Sequence, residues 1–328
     1  MPGPVPLVRV MRSGVEEAVH LGSVAVVDSD GRLQASAGDA GIVAFTRSCS
    51  KPLQATASLS LIGEEEDLTD REIAVMCGSH NGEPQHLEAV ASILRRAGLG
   101  TDALRCPPAA PLGPGAARRV TDQRTEYHNC SGKHAGMLLA CVRSGLDPKT
   151  YPEADHPVQR TVLDVLSRAT EMDPEAVGVD GCGVPVHAYP LANLARMFAA
   201  LADPSRLGAF EPAARRAGGA MLAEPAMVAG RGTVDTDVME AVPGIVVKGG
   251  AEGLMCATAA DRGPGIAVKV ADGGGRATGP ALVRVLTVLG LVDGDAAEAL
   301  AERARPAVKG GGRPVGELVA EFHLEQPR

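Results

Sequence analysis

The sequence predicts an α+β fold, with an antiparallel sheet built from both chain termini and a helical region inserted between them. Three observations lead there. Strand-like runs fill the first forty-odd residues, helical periodicity takes over from Ser48, and strand character returns from Gly244. On this reading residues 1–328 form a single unit, in which 1–47 and 235–328 make a sheet-containing layer and 48–234 a mainly helical region.

The elements follow in order. Val5–Met11, Val15–His20 and Ser23–Asp28 alternate or run apolar, and Asp28–Arg32 is a turn before a strand at Leu33–Ala37. After Ser48 the spacing changes: Leu53, Ala57 and Leu61 share a helical face, and Pro52 stands where a first turn tolerates it. Further helices are expected at Pro84–Ala97, Lys133–Arg143, His156–Ala169, Pro190–Ala202 and Pro212–Leu222. In His156–Ala169 the apolar set Val158, Val162, Val165 and Leu166 keeps the 3.6-residue period, with Asp155 as its cap. Gly244–Val247, Met255–Ala260 and Gly265–Val270 read as strands, and Asp272–Arg276 as a turn. Leu282, Leu286 and Leu289 mark a helix, and Asp295–Arg305 another.

Composition excludes several classes of function. Hydrophobic residues make up 45 % of the chain, enough for a real core, and aromatics only 2 % with no Trp, so that core is built from Val, Leu, Ala and Met. A net charge of −8 without a basic block argues against nucleic acid or an anionic membrane as partner. No apolar run reaches the roughly 18 residues a bilayer span needs, and the first residues lack the layout of a signal peptide. Seven scattered cysteines suit reduced thiols in a cytoplasm better than a disulfide frame.

Six lysines stand against twenty-six arginines, which draws attention to where the lysines lie. A lysine can lose its proton and act as a base; an arginine cannot. Lys51 follows Ser48 by three residues, one turn away on the same face if a helix begins there. A serine hydroxyl needs such a base to become a nucleophile, and burial or a neighbouring cation must lower the lysine pKa by roughly three units from about 10.4. Lys248, opening Lys248-Gly249-Gly250, is a candidate for that second cation. An isolated Ser-x-x-Lys also arises by chance. A second serine, Ser79 in Cys77-Gly78-Ser79-His80-Asn81-Gly82, is placed to relay protons between Lys51 and the leaving group; the plainer reading is a turn between helices, with Asn81 and Gly82 left-handed. The order Ser-x-x-Lys, loop serine, late Lys-Gly-Gly is similar to the layout of penicillin-recognising serine enzymes.

Cys130, Lys133 and Cys182 form another constellation, two thiolates and one nitrogen, soft enough for zinc with a position left open. By spacing alone it is not a zinc signature, and ordinary buried cysteines are the alternative. Asp180 is suited to orienting a ligand or holding an ammonium, Arg47 a carboxylate, and His134 to donating a hydrogen bond behind the ligands; each has an ordinary surface role as the alternative. Neither Gly273–Gly275 nor Gly310–Gly312 has a phosphate loop's ending.

Taken together, Arg47-Ser-x-Ser-Lys-Pro-x-Gln54, Cys77-Gly-Ser-His80, Asn129-Cys-Ser-Gly-Lys-His-Ala-Gly-Met137, Asp180-Gly-Cys-Gly-Val-Pro185 and Lys248-Gly-Gly-Ala-Glu-Gly253 resemble the Asparaginase II family, the thermolabile, rhizobial-type L-asparaginases of bacteria. The resemblance covers nearly the whole chain. It implies a fold like that of serine β-lactamases and glutaminases, hydrolysis of L-asparagine to aspartate and ammonia through an acyl-enzyme, a homodimer, and no organic cofactor. It also implies catalytic tandems at Ser48/Lys51 and Ser79/Lys248 and a metal held by Cys130, Lys133 and Cys182. With the reading of the donor set above, that metal is expected to be zinc, and Arg47, His134 and Asp180 are the expected substrate-binding residues. Lys269 is a nearby rival to Lys248, and Thr233 stands where relatives often place arginine. The alternatives are a serine amidase or esterase for another substrate, and a non-catalytic metal-binding protein.

Overall fold

The computed structural model describes residues 3–327. It comprises two compact units, one of Met1–Cys49, Tyr189–Ala202 and Asp237–Arg328, the other of Ser50–Ala188 and Asp203–Thr236. In chain order the strands are β1 (Val5–Arg12), β2 (Val15–Val27), β3 (Leu33–Ala37), β4 (Val43–Phe45), β5 (Ala176–Val179), β6 (Pro185–Pro190), β7 (Ile245–Gly250), β8 (Leu254–Ala259), β9 (Gly265–Val270), β10 (Ala307–Gly310) and β11 (Arg313–Ala320).

The first unit holds the sheet that the two termini were expected to build. Its order is β10-β11-β1-β2-β9-β8-β7, antiparallel at every pairing, with β3 added beside the second half of β2. The α+β class is therefore as the sequence predicts. Two expected strands at 15–28 are one thirteen-residue strand, β2, whose first half pairs with β1 and second half with β3 and β9. Gly22 lies inside it because the neighbouring strand comes too close for a side chain: a Cβ there would sit 2.4 Å from the Lys269 carbonyl oxygen. Strand β7 runs on past Val247 and takes in Lys248. The helices Leu191–Ala202 and Thr278–Val288 pack on this sheet. Val24, Val27, Ile266 and Val268 are fully buried there, each such valine or isoleucine contributing about 1.5–3 kcal/mol of hydrophobic burial.

The second unit is mainly helical. Its centre is the Lys51–Ile62 helix, packed by the helices Ser131–Arg143, Pro157–Thr170 and Glu211–Ala223. A helix at Asp70–Met76, not anticipated, starts at a capping box in which Thr69 and Glu72 satisfy each other's backbone N–H groups. The Pro157–Thr170 helix is capped by His156, whose Nδ1 accepts from the Val158 N–H at 3.2 Å. Asp155, the expected cap, lies one residue outside that position. Among the described residues no helix is long and apolar enough to cross a membrane.

Candidate active site

Within the second unit, Lys51 opens its helix with Pro52 behind it in the first turn and is 1 % exposed. Its Nζ lies 2.7 Å from the Gly78 carbonyl, 3.1 Å from the Asn129 carbonyl and 3.0 Å from Ser79 Oγ. Carbonyl oxygens only accept, so two of the lysine's hydrogens are committed to them. Towards Ser79 the nitrogen can donate as an ammonium or accept the hydroxyl proton as an amine. A contact of this kind allows a proton to pass in either direction.

Ser79 is half-buried, and its loop is pinned from both sides. The Ser79 N–H donates to the Val228 carbonyl at 2.7 Å and the Asn81 N–H to Ala229 at 2.8 Å. The Ser79 amide is thus spoken for and takes no part in holding an oxyanion. Of the two residues expected to be left-handed, Gly82 has φ +72° and Asn81 is not among the positive-φ residues. His80 is fully buried: its Nδ1 accepts from the Gly82 N–H, its Nε2 donates to Ser131 Oγ at 2.8 Å, and Ser131 passes its own proton to the Glu126 carbonyl. His80 stacks on His86 with ring centroids 5.3 Å apart. Burial, with the charges of His86 and Lys51, pushes the His80 pKa well below its ordinary value.

The Asn129–His134 motif brings the metal candidates into the same unit. Cys130 caps the Ser131–Arg143 helix, and Gly132 is required there, since a Cβ would lie 2.3 Å from the Val75 carbonyl. Cys182 sits in the turn between β5 and β6, where Gly183 adopts φ +91°. Lys133 Nζ donates to Cys182 Sγ at 3.1 Å, and Asp180 Oδ2 is 3.5 Å from the same sulfur. A hydrogen bond from Cys182 outweighs burial and, with Lys51 and Lys133 nearby, holds the Cys130 thiol well below its ordinary pKa; Cys182 is raised in turn. Burial opposes the charge on Lys133, yet the Cys182 and Cys130 sulfurs raise its pKa. His134 Nδ1 lies 2.6 Å from Tyr151 Oη, which also accepts from the Arg105 N–H. Burial lowers the His134 pKa to about 4, against an interaction with the Cys182 sulfur that raises it. Among the described residues no three His, Cys, Asp or Glu side chains form a metal-holding group. With Lys133 included, two sulfurs and a nitrogen converge, a donor set whose chemistry fits a soft divalent ion.

Within the first unit, Ser48 is half-buried on the 3₁₀ turn Arg47–Ser50, which leads directly into the Lys51 helix. Arg47 takes a left-handed φ of +43° and lies 3.9 Å from Glu252. Cys49 donates from Sγ to the Lys248 carbonyl at 3.0 Å, which fixes the Ser48 turn against strand β7. Lys248 is 1 % exposed and its Nζ donates to the Gly249 carbonyl at 2.7 Å. Lys269, the rival, is half-buried on β9 and donates to the Val270 carbonyl. Thr233 turns inward on its own loop, donating to the Gly230 carbonyl at 2.8 Å.

Comparison with known proteins decides the family. The L-asparaginase II family profile matches residues 8–320. The chain belongs to the L-asparaginase II family. A sequence search of curated proteins returns no match. Among solved structures, the family member is similar to Mglu in its native form, with 17 % identity and a TM-score of 0.47, over 84 % of this chain and 66 % of that one. It is also similar to a β-lactamase from Mycobacterium bovis (17 % identity, 83 % and 95 % of the two chains, TM-score 0.41). A third is the Bacillus subtilis glutaminase YbgJ in covalent complex with 5-oxo-L-norleucine (15 %, 82 % and 88 %, 0.39). This chain thus spans about two thirds of the length of Mglu.

Proposed function

We propose that this protein is an L-asparaginase that hydrolyses L-asparagine to L-aspartate and ammonia through an acyl-enzyme on Ser48. Family membership supports an amidohydrolase activity of the asparaginase or glutaminase kind. The observation that carries the residue-level reading is the buried Lys51 amino group on the Ser79 hydroxyl. Ser48 Oγ gives its proton to neutral Lys51 and attacks the side-chain amide carbon. The oxyanion so formed is held by backbone N–H groups near Ser48, and loss of such a donor costs about 3 kcal/mol of transition-state stabilisation. Ser79 and Lys248 carry a proton to the departing ammonia, leaving an aspartyl ester on Ser48. Water then adds to that ester, releasing aspartate and restoring the hydroxyl. Arg47 takes the substrate's α-carboxylate and Asp180 its ammonium, with His134 supporting the pocket.

Cys130, Lys133 and Cys182 would hold zinc, whose Lewis acidity would grip and orient the substrate while the serine remains the nucleophile. Lys133, held as an ammonium by the two sulfurs, must release its proton to serve as a ligand, so metal binding should weaken as pH falls. Assembly as a homodimer belongs to the same proposal and is read by light scattering. Rapid acid quench of enzyme mixed with L-asparagine tests the mechanism. A mass increase of one aspartyl group on the Ser48 peptide is expected, and an ester on a different residue refutes the assignment.

A further inference from the structure

The first unit has a cavity of about 370 Å³ beside the Thr278–Val288 helix, lined by Arg284, Arg305 and Glu321 with apolar walls that include Pro280, Val283 and Val319. Its charges are unusual in what they leave unpaired. Arg305 is committed to Glu317 through two hydrogen bonds of 3.0 Å. Arg284 is half-buried, and its Nε is buried with no hydrogen-bond partner. Among the described residues neither Arg284 nor Glu321 makes an ion pair, with each other or with any other side chain. A guanidinium nitrogen withdrawn from water without a partner is costly to the fold, and one on a group lining a cavity can regain its interaction from a bound anion. Here a carboxylate shares the cavity without reaching the guanidinium. A ligand carrying both charges on adjacent atoms would satisfy both ends, and the apolar walls would cover a short hydrocarbon side chain.

We propose that this cavity is a second ligand site, taking a zwitterionic α-amino acid with a small aliphatic side chain. The ligand's carboxylate lies on Arg284, its ammonium on Glu321, and its side chain against Pro280, Val283 and Val319. Such a ligand has no side-chain amide, so the site stands or falls independently of the asparaginase reading.

Calorimetric titration of the full chain with L-alanine, L-valine and L-leucine tests it. At least one should bind saturably, one molecule per chain. Arg284→Gln and Glu321→Gln should each weaken that binding by roughly tenfold or more, as loss of a charge-assisted contact does. Isobutyrate and isobutylamine, each lacking one of the charges of valine, should bind similarly weakly. Glu321 is exposed, so its variant carries the test if Arg284→Gln fails to fold. No saturable binding by any of the three amino acids overturns the proposal. So does binding that both folded variants leave unchanged, or a single-charge analogue that binds as tightly as the amino acid.

Discussion

Replacing Lys51 by methionine removes the buried amino group while keeping most of its stem, and the structure sets what should follow. The Gly78 and Asn129 carbonyls, at 2.7 and 3.1 Å, each lose a donor. A buried acceptor left unpaired costs about 1–3 kcal/mol, so the pair amounts to about 2–6 kcal/mol. That is a large share of the roughly 5–15 kcal/mol that holds a typical domain. Ser79→Ala is the control. It removes the third contact but orphans no carbonyl, and should cost only about 0.5–1.5 kcal/mol. Turnover should respond differently, falling by about 10²–10⁴-fold in both variants, since Lys51 takes the proton of Ser48 and Ser79 relays one to the departing ammonia. Urea unfolding gives the first quantity and ammonia release the second. The reasoning is refuted if Lys51→Met unfolds within about 1 kcal/mol of the wild type, or if Ser79→Ala keeps full turnover.

Other consequences are as direct. His156→Ala should cost about 0.5–2 kcal/mol in urea unfolding through loss of the Val158 cap and leave turnover unchanged. Gly132→Ala, which must move the Lys133 helix off the Val75 carbonyl 2.3 Å away, should lower both thermal stability and zinc uptake measured by metal analysis. Below about pH 6.5 the unfolded chain gains a proton on His80 that the buried folded ring refuses. This contribution is therefore intact above pH 6.5 and lost as pH falls towards the lowered folded value. His80→Gln should make the acid limb of stability shallower, as read from urea midpoints between pH 8 and pH 5. Cys130→Ser should reduce zinc content from one ion per chain to near zero, and retention of a full equivalent would remove Cys130 from the ligand set.

The sequence resolved the sheet well because β1, β3 and β9 carry clean apolar patterns and end at glycine or charged turns. It divided β2 because Leu21 and Gly22 interrupt the pattern, and only the approach of the β9 backbone explains the glycine. The β10–β11 hairpin escaped notice, since its residues alternate poorly and only Val308 and Leu318 are buried. The Asp70–Met76 helix did have a legible signal, Thr69 followed three residues later by Glu72. In the site, every candidate motif could be read locally. The relay between Lys51 and Ser79 could be proposed from their chemistry, while their 3.0 Å contact across twenty-eight residues is supplied by the fold. The tie between Cys49 and the Lys248 carbonyl, which joins residues almost two hundred positions apart, could not be read this way. The buried stack of His80 on His86 joins the Ser79 loop to the first turn of the Pro84–Arg96 helix that follows it.

The most direct measurement is ammonia release from L-asparagine, with L-glutamine in parallel, by the purified wild type and by Ser48→Ala. The account predicts asparagine-selective release by the wild type and a loss of at least about 10³-fold in Ser48→Ala, as when a serine nucleophile is removed. Near-full turnover by Ser48→Ala, or no release from asparagine by the folded wild-type enzyme with zinc supplied, would contradict it.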